Sequence, residues 1–300
     1  MLYKEIDNIS IYRTRVAFGY FDGLHLGHKA VIDKLIGYEG QAPAVLSFTD
    51  KDTLAVYSEK EKEYLLKEDG VQFYFSMPKE QAYSLTAKEF IKDVLVDALH
   101  AKSVVCGENI KVGSDNVDIN EFKKLAEEYD IEVDTVSLVS VDGQIVTTDL
   151  VKEAISANDF DTMKKYLGYK YILIGEIVHG FAKGRQFGFP TANLQWDANR
   201  IFPPHAVYAT IARLDGCFFR GMSTIGLRPS ADSIPIPSVE TWILDFGRDI
   251  YGREMLLEVH KKIRDIRKFA GGLAEVRVQL DKDVADVKAF FDSLIKSYKR

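Results

Sequence analysis

The sequence predicts two modules: a doubly wound α/β domain over residues 1–168, then a small antiparallel β-barrel or sandwich with a C-terminal helix over 169–300. Three observations predict it. Through the first half, short apolar runs alternate with helical stretches, the pattern of right-handed crossovers feeding a parallel sheet. After Lys170, strand-like runs follow one another through Gly-, Asp- and Pro-bearing turns. Near the end helical spacing returns, with Val287, Phe290, Phe291, Leu294 and Ile295 tracing one face.

Taken in order, Thr14–Gly19 reads as a buried strand and Gly27–Ile36 as a helix. Ala44–Phe48 is a second strand, Glu59–Lys67 a charged helix and Val71–Phe75 a third strand. Phe90, Ile91, Val94, Leu95 and Leu99 give Lys88–Leu99 an amphipathic helical period. Ser103–Cys106 and Glu132–Leu138 are strand-like, with a helix over Asn120–Glu128 between them. Helices at Thr148–Ser156 and Asp159–Tyr166 close the first module before Gly168. In the second module the strand-like runs are Tyr171–His179, Val207–Leu214, Cys217–Thr224, Val239–Phe246 and Met255–Lys262.

Composition narrows the function. Apolar residues make up 46% and charged residues 28%, enough for packed cores and too apolar for a disordered chain. No apolar run approaches a bilayer span, and the first residues lack the basic and apolar segments of a signal peptide. Cys106 and Cys217 form no CxxC pair and no disulfide framework, so a reduced, cytoplasmic setting is expected. The net charge is −6, with the acids concentrated in the first half and no dense basic run. Neither a nucleic acid nor a membrane is indicated as a partner. Oligomeric state is not legible.

Gly19-Tyr20-Phe21-Asp22-Gly23-Leu24-His25-Leu26-Gly27-His28 falls where the first strand hands over to the first helix. Ligands of α/β sheets bind at such carboxyl ends. Backbone N–H groups at a helix start favour an anion, and two imidazoles can donate to phosphate oxygens. On these residues alone a turn with two partly exposed histidines remains open; zinc would need further ligands. The motif resembles the nucleotidyltransferase domain of the bacterial bifunctional FAD synthetases, which joins FMN to the AMP part of ATP. The resemblance implies that His25 and His28 stabilise the transition state and that Gly19, Phe21, Asp22 and Gly23 lie against ATP. Two departures bear on activity. The family's His-Pro pair is replaced within Phe48-Thr49-Asp50-Lys51-Asp52. The late Ile-Ser-Ser-Thr-x-Ile-Arg motif becomes Ile145-Val146-Thr147-Thr148-Asp149-Leu150-Val151. Losing a charge-assisted bond from arginine weakens phosphate binding by roughly 1.5–3 kcal/mol, so impaired adenylyl transfer is expected. Three readings stay open: a kinase with a weakened transferase, a fully bifunctional enzyme, or a kinase carrying a flavin- or nucleotide-binding regulatory domain.

The second motif runs from His179 and Gly180 through Lys183, Gly184 and Arg185 to Gly188-Phe189-Pro190-Thr191-Ala192-Asn193-Leu194. Glycines let backbone N–H groups approach phosphates, and the two cations offset charge. Thr191 and Asn193, two apart on an extended segment, point the same way and offer hard oxygens suited to Mg²⁺. A turn-rich loop between strands is the plain alternative. The string resembles the riboflavin kinase family, and the likeness continues in Ala206-Val207-Tyr208-Ala209, Gly226-Leu227-Arg228-Pro229-Ser230, Val239–Phe246, Tyr251-Gly252 and Ile263–Phe269. It implies a six-stranded barrel that uses Mg-ATP and riboflavin to make FMN. Glu240 would be the base; Gly180, Lys183, Gly184, Arg185, Pro190, Thr191 and Asn193 would hold ATP, with Thr191 and Asn193 on the metal. Arg264, Arg267 and Phe269 would meet the flavin. Departures are Ala206 for a glycine and Ile266 for a glutamate.

Overall fold

The computed structural model describes residues 2–3, 13–180, 190–195, 197, 199–201, 203–228, 236–267, 269 and 272–298. It forms two compact units, Met1–Val151 and Lys152–Arg300. The boundary at 168 expected from the sequence lies one helix further on.

The first unit is built on six parallel strands: β1 (Leu2–Tyr3), β2 (Thr14–Gly19), β3 (Ala42–Thr49), β4 (Phe73–Pro78), β5 (Ala101–Gly107) and β6 (Glu132–Val136). Their order is β1-β4-β3-β2-β5-β6, so the chain reverses its direction of travel across the sheet between β2 and β5. Alternate side chains of β2 serve opposite faces. Ala17 joins Ile32 and Leu35 of α1 (Leu26–Ile36) and Leu66 of α2 (Glu59–Glu68). Val16 and Phe18 join Phe90, Leu95 and Phe122 on the other side. That two-sided burial is what makes the sheet doubly wound.

Two short helical turns, α3 (Lys79–Ala82) and α4 (Ala87–Glu89), precede Phe90–Ala98. This segment is a π-helix, not the α-helix its spacing predicts. The wider ladder, with Leu99 N–H donating to Val94 O, brings Phe90, Ile91, Val94 and Leu95 all into the core. Asp118 caps α5 (Ile119–Glu127). A small hairpin, β7 (Ser140–Val141) and β8 (Gln144–Ile145), leads to α6 (Thr148–Ser156).

The second unit continues through α7 (Phe160–Leu167) into a closed antiparallel barrel. Its strands are β9 (Ile172–Val178), β10 (Ala192–Leu194), β11 (Ala206–Leu214), β12 (Cys217–Arg228), β13 (Ile236–Ile243) and β14 (Glu254–Asp265). They close in the order β10-β13-β12-β11-β14-β9. Even-numbered β11 residues face the interior, where the hydroxyls of Thr210, Ser223 and Thr241 form a buried chain with 2.8 Å between neighbours. Odd-numbered ones, Val207 and Ala209, face the terminal helix Gly272–Tyr298, which buries Val287 and Phe291 against them. Tyr208 anchors α7's approach, its hydroxyl donating to Asn158 Oδ1 over 2.7 Å.

Three expectations need correction, and one strand was not expected. Strand β13 ends at Ile243 and not at Phe246, because Asp245 turns the backbone with φ 56°. Strand β10 had no expected counterpart. Val71 lies outside β4, its N–H returning to Leu66 O at the end of α2. Ile295 is exposed, while Phe290 and Leu294 are partly buried against the helix-side core.

Candidate active site

The first unit contains a cavity of about 500 Å³ whose wall includes Gly19 at the end of β2 and Gly107 at the end of β5. These are the strands between which the order reverses, the position where parallel sheets receive ligands. His25 and His28 line it, their rings stacked at 3.8 Å. His25 is the N-cap of α1, and its Nδ1 accepts the Gly27 N–H at 3.1 Å. A neutral ring so held carries its proton on Nε2 and remains a donor. Burial pushes the His25 pKa down to about 4. Burial, then the charges of His25 and Lys62, hold His28 well below the usual imidazole range. Both rings are therefore neutral near pH 7. A Cβ at Gly27 would stand 3.0 Å from His25 Cε1, so glycine is what allows the pair to close up.

Gly19 and Phe21 line the cavity as expected; Asp22 and Gly23 do not. Asp22 Oδ1 accepts the N–H of Val56 at 2.8 Å and of Tyr57 at 3.3 Å, which pins the loop. Thr147 and Thr148 line the cavity. Thr148 donates to Asp22 O at 3.0 Å, and Thr147 Oγ1 accepts the Leu150 N–H at 3.3 Å. Val151, at the family's arginine position, is wholly buried, and Asp149 is exposed. Sequence reasoning missed Asn109 and the rings of Tyr20, Phe48 and Tyr83, which also line the cavity. Tyr20 stood inside the motif and was the available signal.

In the second unit, β13 alternates as its sequence requires: Val239 and Thr241 are fully buried inward, and Glu240 points to the other side, partly exposed. Asn193 is its direct neighbour across β10–β13, and Thr191 Oγ1 lies 3.5 Å from Glu240 Oε2. Asn193 is buried, its amide donating to Thr191 O at 3.4 Å. A Cβ at Gly180 would come within 2.3 Å of Asn193 Nδ2, so the glycine makes room for that side chain. Pro190 and Thr191 line an adjoining cavity of about 270 Å³ with Thr241, Phe246 and Tyr251. His179 stacks on Tyr251 at 3.8 Å. Lys183, Gly184 and Arg185 lie outside the described residues.

Arg264, Arg267 and Phe269 come together, with the two guanidinium carbons 5.9 and 4.9 Å from the phenyl centroid. Arg264 is committed elsewhere. Its Nε and Nη2 grip the fully buried carboxylate of Asp283, on the terminal helix, at 2.7–3.0 Å. Gln279 donates to the same carboxylate at 2.6 Å and accepts from Arg267. Asp283 was missed, although it stands four residues before Val287 and eight before Phe291, on the stripe that the helix buries.

Comparison with known proteins covers both units. A family model described as FAD synthetase matches residues 10–150, and one described as riboflavin kinase matches 167–291. The bifunctional riboflavin kinase/FMN adenylyltransferase of Listeria monocytogenes is 32% identical over 295 residues, covering 93% of each chain. That of Bacillus subtilis is 30% identical over 302 residues, covering 95% of this chain and 94% of the relative. A crystal structure described as a macrolide-efflux protein from Streptococcus pneumoniae superposes with a TM-score of 0.79 at 28% identity, over 96% of this chain and 98% of that one. Among the described residues no helix is long and apolar enough to cross a membrane. With a third of its residues shared over nearly the full length of a relative, and both units matched separately, the chain belongs to the bifunctional riboflavin kinase/FMN adenylyltransferase family.

Proposed function

We propose that the second unit transfers the γ-phosphate of ATP to the 5′-hydroxyl of riboflavin, giving FMN, and that the first unit joins FMN to AMP. The observation that carries the kinase reading is the meeting of Thr191, Asn193 and Glu240 on one side of the β10–β13 pair. Glu240 takes the proton of the attacking hydroxyl. Its neighbours are a hydroxyl and an amide, hard oxygen donors that fit Mg²⁺. When bound, Mg²⁺ would offset charge on the ATP phosphates, with Thr191 and Asn193 holding it. Pro190 and Gly180 shape the ATP side, and Phe269 with Arg267 offers a face for the flavin ring.

In the first unit a phosphate oxygen of FMN attacks the α-phosphorus of ATP. The new P–O–P bond forms as the bond to pyrophosphate breaks. Neutral His25 and His28 donate hydrogen bonds to the charge that develops on phosphate oxygens, a contribution of position rather than covalency. A second reading, a non-catalytic flavin- or nucleotide-binding domain, is favoured by Val151. Its side chain is inside the core where a phosphate-binding arginine would be required.

Incubating the protein with riboflavin, ATP and Mg²⁺ and separating the flavins decides between them. FMN followed by FAD is expected. FMN alone would leave the kinase and convert the first unit to the second reading; neither product would overturn both assignments.

A further inference from the structure

His25 and His28 stand side by side, but a hydrogen bond to the protein fixes the tautomer of His25 alone. His25 Nδ1 accepts the Gly27 N–H. His28 Nδ1 is buried and has no hydrogen-bond partner among the described residues, so the ring reaches the cavity with its other edge. What lies behind the ring follows from helix register. Ile32 of α1 and Leu66 of α2 belong to one core cluster on the same face of the sheet. Four residues back, one turn nearer the start of each helix and on the same faces, stand His28 and Lys62. The two starts are tied together, because Asp22 in the motif loop accepts the N–H groups of Val56 and Tyr57 just ahead of α2. Lys62 is buried, a place lysine rarely takes. Its ammonium meets Glu59 Oε1 at 2.5 Å, and Glu59 Oε2 accepts the Tyr74 hydroxyl at 2.8 Å. Beyond burial itself, the charges that act on His28 are those of His25, from its own helix, and of Lys62, from α2. The cavity wall, among the described residues, carries no Lys, Arg, Asp or Glu.

We propose that Lys62 is a positioning residue for adenylyl transfer: from behind the ring it keeps the His28 lone pair on Nδ1 and the proton on Nε2, aimed into the cavity. The proposal rests on the reading of this unit as the one that joins FMN to AMP. The opposite tautomer would aim a buried N–H with no acceptor at an ammonium, which desolvation and charge both oppose. A cation on the lone-pair side also draws electron density from the ring. Nε2–H is then a stronger donor to a phosphate oxygen as charge develops there. Lys62 thereby supplies, through an imidazole, positive charge that the buried Val151 cannot. Glu59 partly offsets the ammonium, so removing one or the other partner changes the field at His28 in opposite senses.

The test uses the full chain with nitrogen-15 in its six histidines, His28 being assigned from a His28→Gln sample. The parent is expected to show His28 as the Nε2–H tautomer near pH 7. Lys62→Met keeps the length of the side chain and removes its charge. Its His28 should take up a proton at higher pH than in the parent, because a like charge no longer opposes it. In Glu59→Gln, where the counter-charge is gone, His28 should charge no more readily than in the parent. A merely structural role would move both variants the same way. In Lys62→Met, kcat for FAD formation from supplied FMN should fall roughly tenfold, part of the cost of losing a preorganised donor. Both KM values should stay within about twofold, Lys62→Arg should recover most of the rate, and riboflavin phosphorylation should not move. Lys62→Gln, a second neutral variant, should behave as Lys62→Met does, and serves where the latter does not fold. An Nδ1–H tautomer in the parent, no upward shift in the neutral variants, an equal upward shift in Glu59→Gln, or an unchanged kcat would each overturn the proposal. If the parent makes no FAD while the neutral variants alone shift His28, the hold of Lys62 on His28 stands and the adenylyl-transfer reading falls.

Discussion

Glu240 illustrates how much one side chain owes to the strand that carries it. Its neighbours Val239 and Thr241 are drawn into the barrel, so the period-2 alternation of β13 sets the carboxylate on the side of Thr191 and Asn193. Removing only its basicity isolates that role. Glu240→Gln should lower kcat for FMN formation by roughly 10²- to 10⁴-fold while leaving the KM for riboflavin nearly unchanged, the effect expected of a lost general base. Unaltered turnover in a rapid-quench assay would remove Glu240 from the mechanism. At this scale the sequence was most informative where a motif was long. The structure brings His25 and His28 to one cavity and sets Thr191 and Asn193 beside Glu240. Asp22 is absent from that cavity's wall; its two backbone bonds to Val56 and Tyr57 span more than thirty residues, and local spacing carries no trace of them.

Among the elements, the terminal helix shows why a buried stripe is not always apolar. Asp283 sits between Gln279 and Val287 on the covered face, where it neutralises Arg264 of β14 and thereby ties the helix to the barrel. Truncating one partner of such a buried pair strands the other charge and costs about 3–5 kcal/mol. Asp283→Ala should lower the denaturant midpoint of the second unit accordingly, read from far-UV circular dichroism with a tryptophan signal alongside. A shift below about 1 kcal/mol would show that Arg264 finds water instead. Strands and helices with several periods were legible. Strand β10 was not, since three residues cannot establish a period, and it became a strand by pairing with β9 and β13. The π-helix was likewise invisible, because its buried residues also satisfy an α-helical spacing over two turns.

For the whole molecule, the change of rhythm near residue 170 proved the decisive reading: parallel sheet before it, closed barrel after. Each unit brings its own cavity and its own candidate site residues. The two proposed activities should therefore separate by substitution. His25→Ala/His28→Ala should abolish FAD formation from supplied FMN and leave riboflavin phosphorylation within about twofold of the parent; loss of both would show that the histidines support the fold rather than the chemistry. What the sequence could not show is how a cavity forms at a reversal of strand order, because β2 and β5 are neighbours only in three dimensions.

The closure of the barrel sets a schedule for its assembly. Strand β9, the first of the six, is hydrogen-bonded to β14, the last, with Ile172 opposite Glu258. The parallel sheet has all its strands once residue 136 is available, but the ring cannot be completed until the chain beyond residue 258 has left the ribosome. At roughly 5–20 residues per second, the strand waits at least several seconds for its partner. During translation the first unit can thus be shaped and ready while the second is still an open ribbon.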